Sequence, residues 1–147
     1  MSPLATLPDE VRDVMANGIP VLVATCSADG IPVGIATCSA DGTPNVAIIS
    51  QVYYVDPGRV ALSCQFFNKT TKNVRENPHA SIILNDAEHR RRWILAVDFD
   101  HSETEGPIFD EMDMAIEAIA SATGMAGIFK LRSADLYTVR RVEILQT

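Results

Sequence analysis

Three consecutive residues, Asn68, Lys69 and Thr70, have the types and order needed to hold an anion. They open the stretch NKTTKNVRENP, in which Asn68 or Thr70 can cap a short helix, Val74 supplies its apolar contact and Pro78 ends it. A helix N-terminus presents unpaired N–H groups and a partial positive charge, and Lys69 adds a full one, so a phosphate suits this corner. The same residues also read as plain caps beside a solvated basic face of Lys69, Lys72 and Arg75, and helix chemistry alone leaves both readings standing.

Other reactive side chains form no constellation. Cys26, Cys38 and Cys64 are odd in number and lack metal-type spacing, so they read as small strand residues rather than a disulfide framework or a metal site. Nothing in the sequence lowers the pKa of Cys64, so it is read as structural. His79, His89 and His101 are scattered, without a second ligand at helical or hairpin spacing, and are read as surface or loop residues. Asp110, Glu111, Asp113 and Glu117 crowd one face of a helical pattern, which is the signature of a solvated surface more than of a catalytic pair.

The chain has 147 residues, 47% of them hydrophobic, enough for one sizeable core, and one domain over residues 1–147 is expected. A formal net charge of -7 argues against binding nucleic acid through its phosphates and leaves small molecules and protein partners open. The start MSPLATLPDE lacks a basic-then-apolar leader, and no stretch approaches the roughly 18 apolar residues of a membrane span. A soluble, cytoplasmic protein is expected.

The elements that must position the corner are mostly strands. PDEVRDVMAN (8–17) spaces Val11, Val14 and Met15 as a short helix stopped by Gly18. Residues 19–30 and 31–42 are a tandem repeat, IPVLVATCSADG then IPVGIATCSADG, identical at ten of twelve positions. Two copies cannot build a solenoid, whereas an even-numbered insertion keeps the strand faces in phase, so this is a local duplication inside one domain. Each copy ends in Asp-Gly, a hairpin signal, and the second is expected to pair with residues 43–50. Gly34, standing where the first copy has Leu22, weakens the second as a strand former, and which copy becomes the first barrel strand stays open. Strand patterns continue through TPNVAIISQVYYV, a turn at Asp56-Pro57-Gly58, RVALSCQFF, HASIILND, a charged turn AEHRRR, WILAVDFDH, GIFKLR and LYTVRRVEIL. The one long helix spans 106–123, with Pro107 in its first turn and Gly124 as its stop. The expectation is a mainly β fold: a barrel of six or more antiparallel strands, one long helix and two short ones, closed to remove exposed edges.

The order GTPNV after a hairpin turn, a second hairpin leading to a polar helix start, and then NP-x-ASIIL resembles the pyridoxamine 5′-phosphate oxidase-like family of FMN-binding split barrels, from about Ala36 to Ile144. It is most similar to a bacterial subgroup carrying runs like SQVYYVD and QFFNKT, whose module often precedes a sensory domain.

The resemblance implies a homodimer with FMN at the subunit interface. It places the cofactor against Asn45 to Ser50 (with Ile48 and Ile49), Ser63 and Cys64, and the helix start Asn68, Lys69 and Thr70. Arg92, or its neighbour Trp93, falls where a polar side chain on the next strand approaches the flavin. Phe66, Phe67, Tyr53 and Tyr54 could flank the ring, although strand aromatics are more often core. The family's oxidases carry a basic residue at each end of the first segment, where this chain has Asn45 and Ser50, and Thr70 replaces the second basic residue of the helix start. These departures weaken the case for a second phosphorylated ligand such as a B6 vitamer. The resemblance therefore implies an FMN-dependent oxidoreductase acting on an unidentified small molecule, or a non-catalytic flavin- or haem-binding sensory module.

Overall fold

The structure, a computed structural model, describes residues 6–17, 34–49, 51–64, 68–86, 88–122, 124, 127 and 130–146. The first repeat copy, with Cys26, and also Ser50, Phe66 and Phe67 lie outside them. In chain order the elements are α1 (Asp9–Asn17), β1 (Gly34–Cys38), β2 (Pro44–Ile48), β3 (Val52–Asp56), β4 (Arg59–Cys64), α2 (Asn68–Glu76), β5 (His79–Asp86), β6 (Arg91–Glu103), α3 (Pro107–Ala122) and β7 (Ser133–Gln146). The seven strands form one antiparallel sheet in the order β2-β1-β5-β6-β7-β4-β3.

The turn chemistry builds the hairpins as expected. The second repeat copy supplies β1 and pairs with β2, Ala36 opposite Val46 and Cys38 opposite Pro44. Its Ser-Ala-Asp-Gly turn is closed by Asp41, which accepts hydrogen bonds from the Ser39 hydroxyl and from the Thr43 hydroxyl and amide; these hold its carboxyl down at about 2. Gly42 turns at φ +89°, with open space around an added Cβ, so the backbone angle alone asks for glycine. At the β3–β4 turn Asp56 accepts from the Gly58 amide at 2.9 Å and from Arg59 Nε at 2.7 Å.

Period-two alternation then sorts the sheet into an inner and an outer face. One cross-strand row, Ala47–Ile35–Ile82–Leu95, points inward, and Ile35, Ile82 and Leu95 are fully buried. The inner core joins them to Ile49 and Val52 beside one sheet edge, to Val60, Leu62 and Tyr137, and to Val74 of α2. Residues near both edges thus share one core, and among the described residues no ladder joins β2 to β3; the sheet curls into a barrel split between these strands.

The helices cover what the curl leaves open. α3 buries Met112, Ile116 and Ala120, one turn apart, on the outer side of β4 and β7 against Ala61, Leu131, Ala134 and Leu136. Its first residue is Pro107, and Gly124 beyond its end has φ +74°. α1 buries Val11 and is tied down by Glu10, which pairs with Arg91, itself paired with the buried Asp86. Burial opposes ionisation of Asp86, but hydrogen bonds from the His89 amide and ring and from Arg91 outweigh it and hold the carboxyl below its ordinary range. Among the described residues no helix is long and apolar enough to cross a membrane, which says nothing about strands.

Two strand expectations need correction. β6 runs from Arg91 to Glu103, beyond WILAVDFDH at both ends, because register shifts at Ala96/Val97 and Phe99/His101 bend it while its ladder with β7 continues. GIFKLR is not a strand in its described part: Lys130, Leu131 and Arg132 lie outside any ladder, Leu131 packs under α3, and the Arg132 amide donates to the Cys64 carbonyl at 2.9 Å.

Buried and exposed apolar side chains respond differently to truncation. Ile82→Ala, in the inner row, is expected to cost about 2–5 kcal/mol, whereas Met114→Ala, at 69% exposure on α3, stays within about 0.5 kcal/mol, as measured by urea unfolding.

Candidate functional site

α2 sits across the end of the β1–β2 hairpin because its buried face carries polar groups that need partners there. Thr70, Asn73 and Val74, spaced three and four apart, are buried. Asn73 Nδ2 donates to Thr37 Oγ1 of β1 at 3.1 Å, and Asn45 Nδ2 of β2 donates to Thr70 Oγ1 at 3.4 Å. On its other flank Thr71 Oγ1 lies 3.7 Å from Cys64 Sγ at the end of β4. The first turn of α2 therefore sits between β2, through Thr70, and the end of β4, through Thr71.

The structure brings some of the expected site residues together. Asn45 and Thr70 touch, Lys69 stands exposed beside them with no ion pair among the described residues, and Asn68 is the first residue of α2. Ile48 ends β2, and Ile49 is buried in the inner core, so its side chain faces the barrel interior. Ser50 lies outside the described residues. Ser63 and Cys64 are adjacent on one strand and so point to opposite faces: Cys64 turns to α2, while Ser63, opposite Ala134, lies on the α3 side, its hydroxyl buried and without a hydrogen-bond partner among the described residues. Any contact of Ser63 with a group at the α2 corner runs through its main chain.

Arg92 is not brought to this corner within one chain. It is exposed on β6 opposite Asn85, four residues and roughly 13 Å along the strand from Ala96, and on the outer face while Asn45 faces inward. Its neighbour Trp93 is buried in the core, with the Arg91 guanidinium over its ring. Tyr54 carries Arg12 of α1 on its ring at 4.7 Å, and the Tyr53 hydroxyl donates to Glu111 of α3, so both tyrosines serve helix packing. Tyr137 lies buried edge-on to Phe99, and burial, reinforced by Asp135 and Cys64, raises its phenol well above the ordinary value.

Two features escaped sequence reasoning. Thr37 and Asn73, far apart in the chain, are the buried pair that seats α2; Asn73, a polar residue one position before Val74, was their only trace. A groove of about 610 Å³ crosses the outer sheet face, lined by Ala36, Cys38, His79, Ala96, Asp98 and Arg140, among others. There Asp98 accepts from the Arg140 guanidinium and lies 2.6 Å from His79 Nδ1; burial opposes its ionisation, but these partners hold its carboxyl below the usual range.

Comparison with known proteins places this geometry. The family model for pyridoxamine 5′-phosphate oxidase matches residues 32–140. Among solved structures, HupZ of Group A Streptococcus is 18% identical with a TM-score of 0.66, covering 96% of this chain and 95% of its own. An FMN-binding protein from Syntrophomonas wolfei subsp. wolfei is 15% identical with a TM-score of 0.65, covering 95% and 91%. HutZ, the haem storage protein of Vibrio cholerae, is 14% identical with a TM-score of 0.58, covering 95% and 94%. None of the curated proteins compared with the chain matches it. At such identities these structures establish the shared fold, and the family match, which spans most of the chain, establishes descent: this protein belongs to the pyridoxamine 5′-phosphate oxidase family of split barrels.

Proposed function

We propose that the chain is a single cytoplasmic flavin-binding domain that works as an FMN-dependent oxidoreductase on a small molecule, as a homodimer. The observation that carries the reading is the Asn45–Thr70 contact, which holds the α2 N-terminus, with Lys69 on it, against β2 at the split. The donor set fits a phosphate monoester: the first amides of a nine-residue helix, one ammonium group, and the amide and hydroxyl of Asn45 and Thr70. The FMN-binding relative of the same fold supports the choice of cofactor.

In this reading Lys69, Asn68 and Thr70 hold the phosphate, Asn45 orients it, and the main chain of Ser63 and Cys64 borders the ring. When bound, FMN supplies the redox chemistry, and the protein's part is to position it and exclude water. Arg92, on the outer face, reaches a cofactor only across a dimer interface. That face supports a dimer: the cross-strand rows Val46–Ala36–Ser81–Ala96 and Gly34–Ile83–Ile94 are small or apolar, and Val46 and Ile83 stand exposed.

A haem-binding module is the second reading, favoured by His79. Its ring is exposed in the sheet-face groove, Nδ1 is engaged by Asp98, and Nε2 has no partner among the described residues, the arrangement of a carboxylate-oriented axial ligand. The fold shared with a haem storage protein adds to it.

The visible spectrum of purified protein with added cofactor separates the readings. Flavin bands that bleach anaerobically on adding NADH or NADPH are expected; flavin that binds without turnover leaves a sensory module, and a Soret band abolished by His79→Ala marks the haem reading. Lys69→Ala should weaken FMN binding about tenfold, the worth of one charge-assisted phosphate contact, and an unchanged Kd removes Lys69 from the site. Ile83→Glu should halve the mass seen by size-exclusion chromatography with light scattering; an unchanged mass rules this face out as the dimer contact.

A further inference from the structure

Opposite the flank of α2 that meets β2 lies a groove of about 540 Å³, lined by Cys64, Thr71, Lys72, Arg75, Glu76, Arg132 and Ser133. Its charges run against the rest of the molecule. The chain carries 19 acidic residues to 12 basic, yet three cations and a single carboxylate line this groove. Elsewhere Arg59, Arg91, Arg140 and Arg141 each pair with an Asp or Glu. Lys72, Arg75 and Arg132 have no ion pair among the described residues.

The groove is built from two unrelated segments held in register. Thr71 and Arg75 are one helical turn apart on α2, and Thr71 is drawn to β4 by Cys64. Arg132 is fixed at its main chain by the bond from its amide to the Cys64 carbonyl, and Ser133 begins the β7 ladder opposite Cys64. Two guanidinium forks, an ammonium and the Thr71 hydroxyl thus face one space from both walls, while the Ser133 hydroxyl donates to Asp135 at 2.8 Å; the cationic donors suit the tetrahedral oxygens of a phosphate. A single carboxylate ligand would gain less against the repulsion of Glu76 than a multiply charged phosphate.

We propose that this groove is a second anion site, taking the phosphate or pyrophosphate group of a small-molecule ligand. Its walls differ from those of the Asn45–Lys69–Thr70 corner: at about 100° per residue, Thr71 lies about 160° around α2 from Lys69, while Lys72, three residues on from Lys69, stands between the two. The proposal stands without the flavin reading. It restores to the chain a place for a phosphorylated ligand, which the replacement of the family's basic residues at Asn45 and Ser50 had argued against.

Titration of ¹⁵N-labelled protein with inorganic pyrophosphate, followed by amide shifts at low salt, tests it. Saturable shifts at Thr71, Lys72, Arg132 and Ser133 are expected, weakened at least about tenfold in Arg75→Gln/Arg132→Gln and unchanged in Lys69→Ala. Shifts that never saturate, or that centre on Asn45 and Lys69, overturn the proposal. So does displacement of pyrophosphate from Thr71 and Ser133 by FMN, because the groove would then be the cofactor's own phosphate site. If FMN does not bind at all, the flavin reading falls while the pyrophosphate footprint still decides this one.

Discussion

The placement of α2 depends on a rule about buried polar groups: once removed from water they must find partners or cost about 1–3 kcal/mol each. Thr70 and Asn73 lie on the helix face that carries Val74 into the core, and Asn45 on β2 and Thr37 on β1 supply their partners. Satisfying both seats the helix at one position on the β1–β2 hairpin. The outward consequence is that the helix start, with the exposed Lys69, is held beside Asn45 of the edge strand β2 instead of being averaged over a sliding contact.

A second constraint, alternation along each strand, divides the labour of the sheet. Inward rows of Ile, Leu and Val make the core that the curled sheet wraps around, while outward positions on β2, β1, β5 and β6 are free to be small, apolar or charged. The outer side of β4 and β7 is taken by α3, and the outer face of the other four strands is left uncovered by any helix of the described chain. The same division explains why neighbours in sequence part company at the site: Cys64 meets α2, Ser63 faces α3, Arg92 stands on the surface and Trp93 is buried.

Much of this was legible where the physics is local. HASIILND alternates and is β5 from His79 to Asp86; Asp41-Gly42 and Asp56-Pro57-Gly58 turn where their side chains and dihedrals require; Pro107 and Gly124 bracket α3. The barrel and the family followed from the order of such signals. What failed was also physical. GIFKLR has strand composition, but Leu131 is claimed by α3 and Arg132 by a Cys64 carbonyl, contacts that composition cannot reveal. The bulges that extend β6 serve its long ladder with β7 and leave no local mark. At the site, the helix cap and Lys69 could be read directly, whereas the Asn45–Thr70 and Thr37–Asn73 pairs join residues 25 and 36 positions apart and needed the fold. Lys72 and Arg75 looked like an ordinary solvated face until Arg132 was placed beside them.

The central claim is that the α2 corner holds the cofactor by its phosphate, and the comparison of FMN with riboflavin tests it most directly, since the two differ only in that group. Quenching of flavin fluorescence should give a Kd for FMN at least about tenfold below that for riboflavin at low salt, with the gap narrowing as salt screens Lys69. Equal affinities for the two flavins, insensitive to salt, would contradict the account.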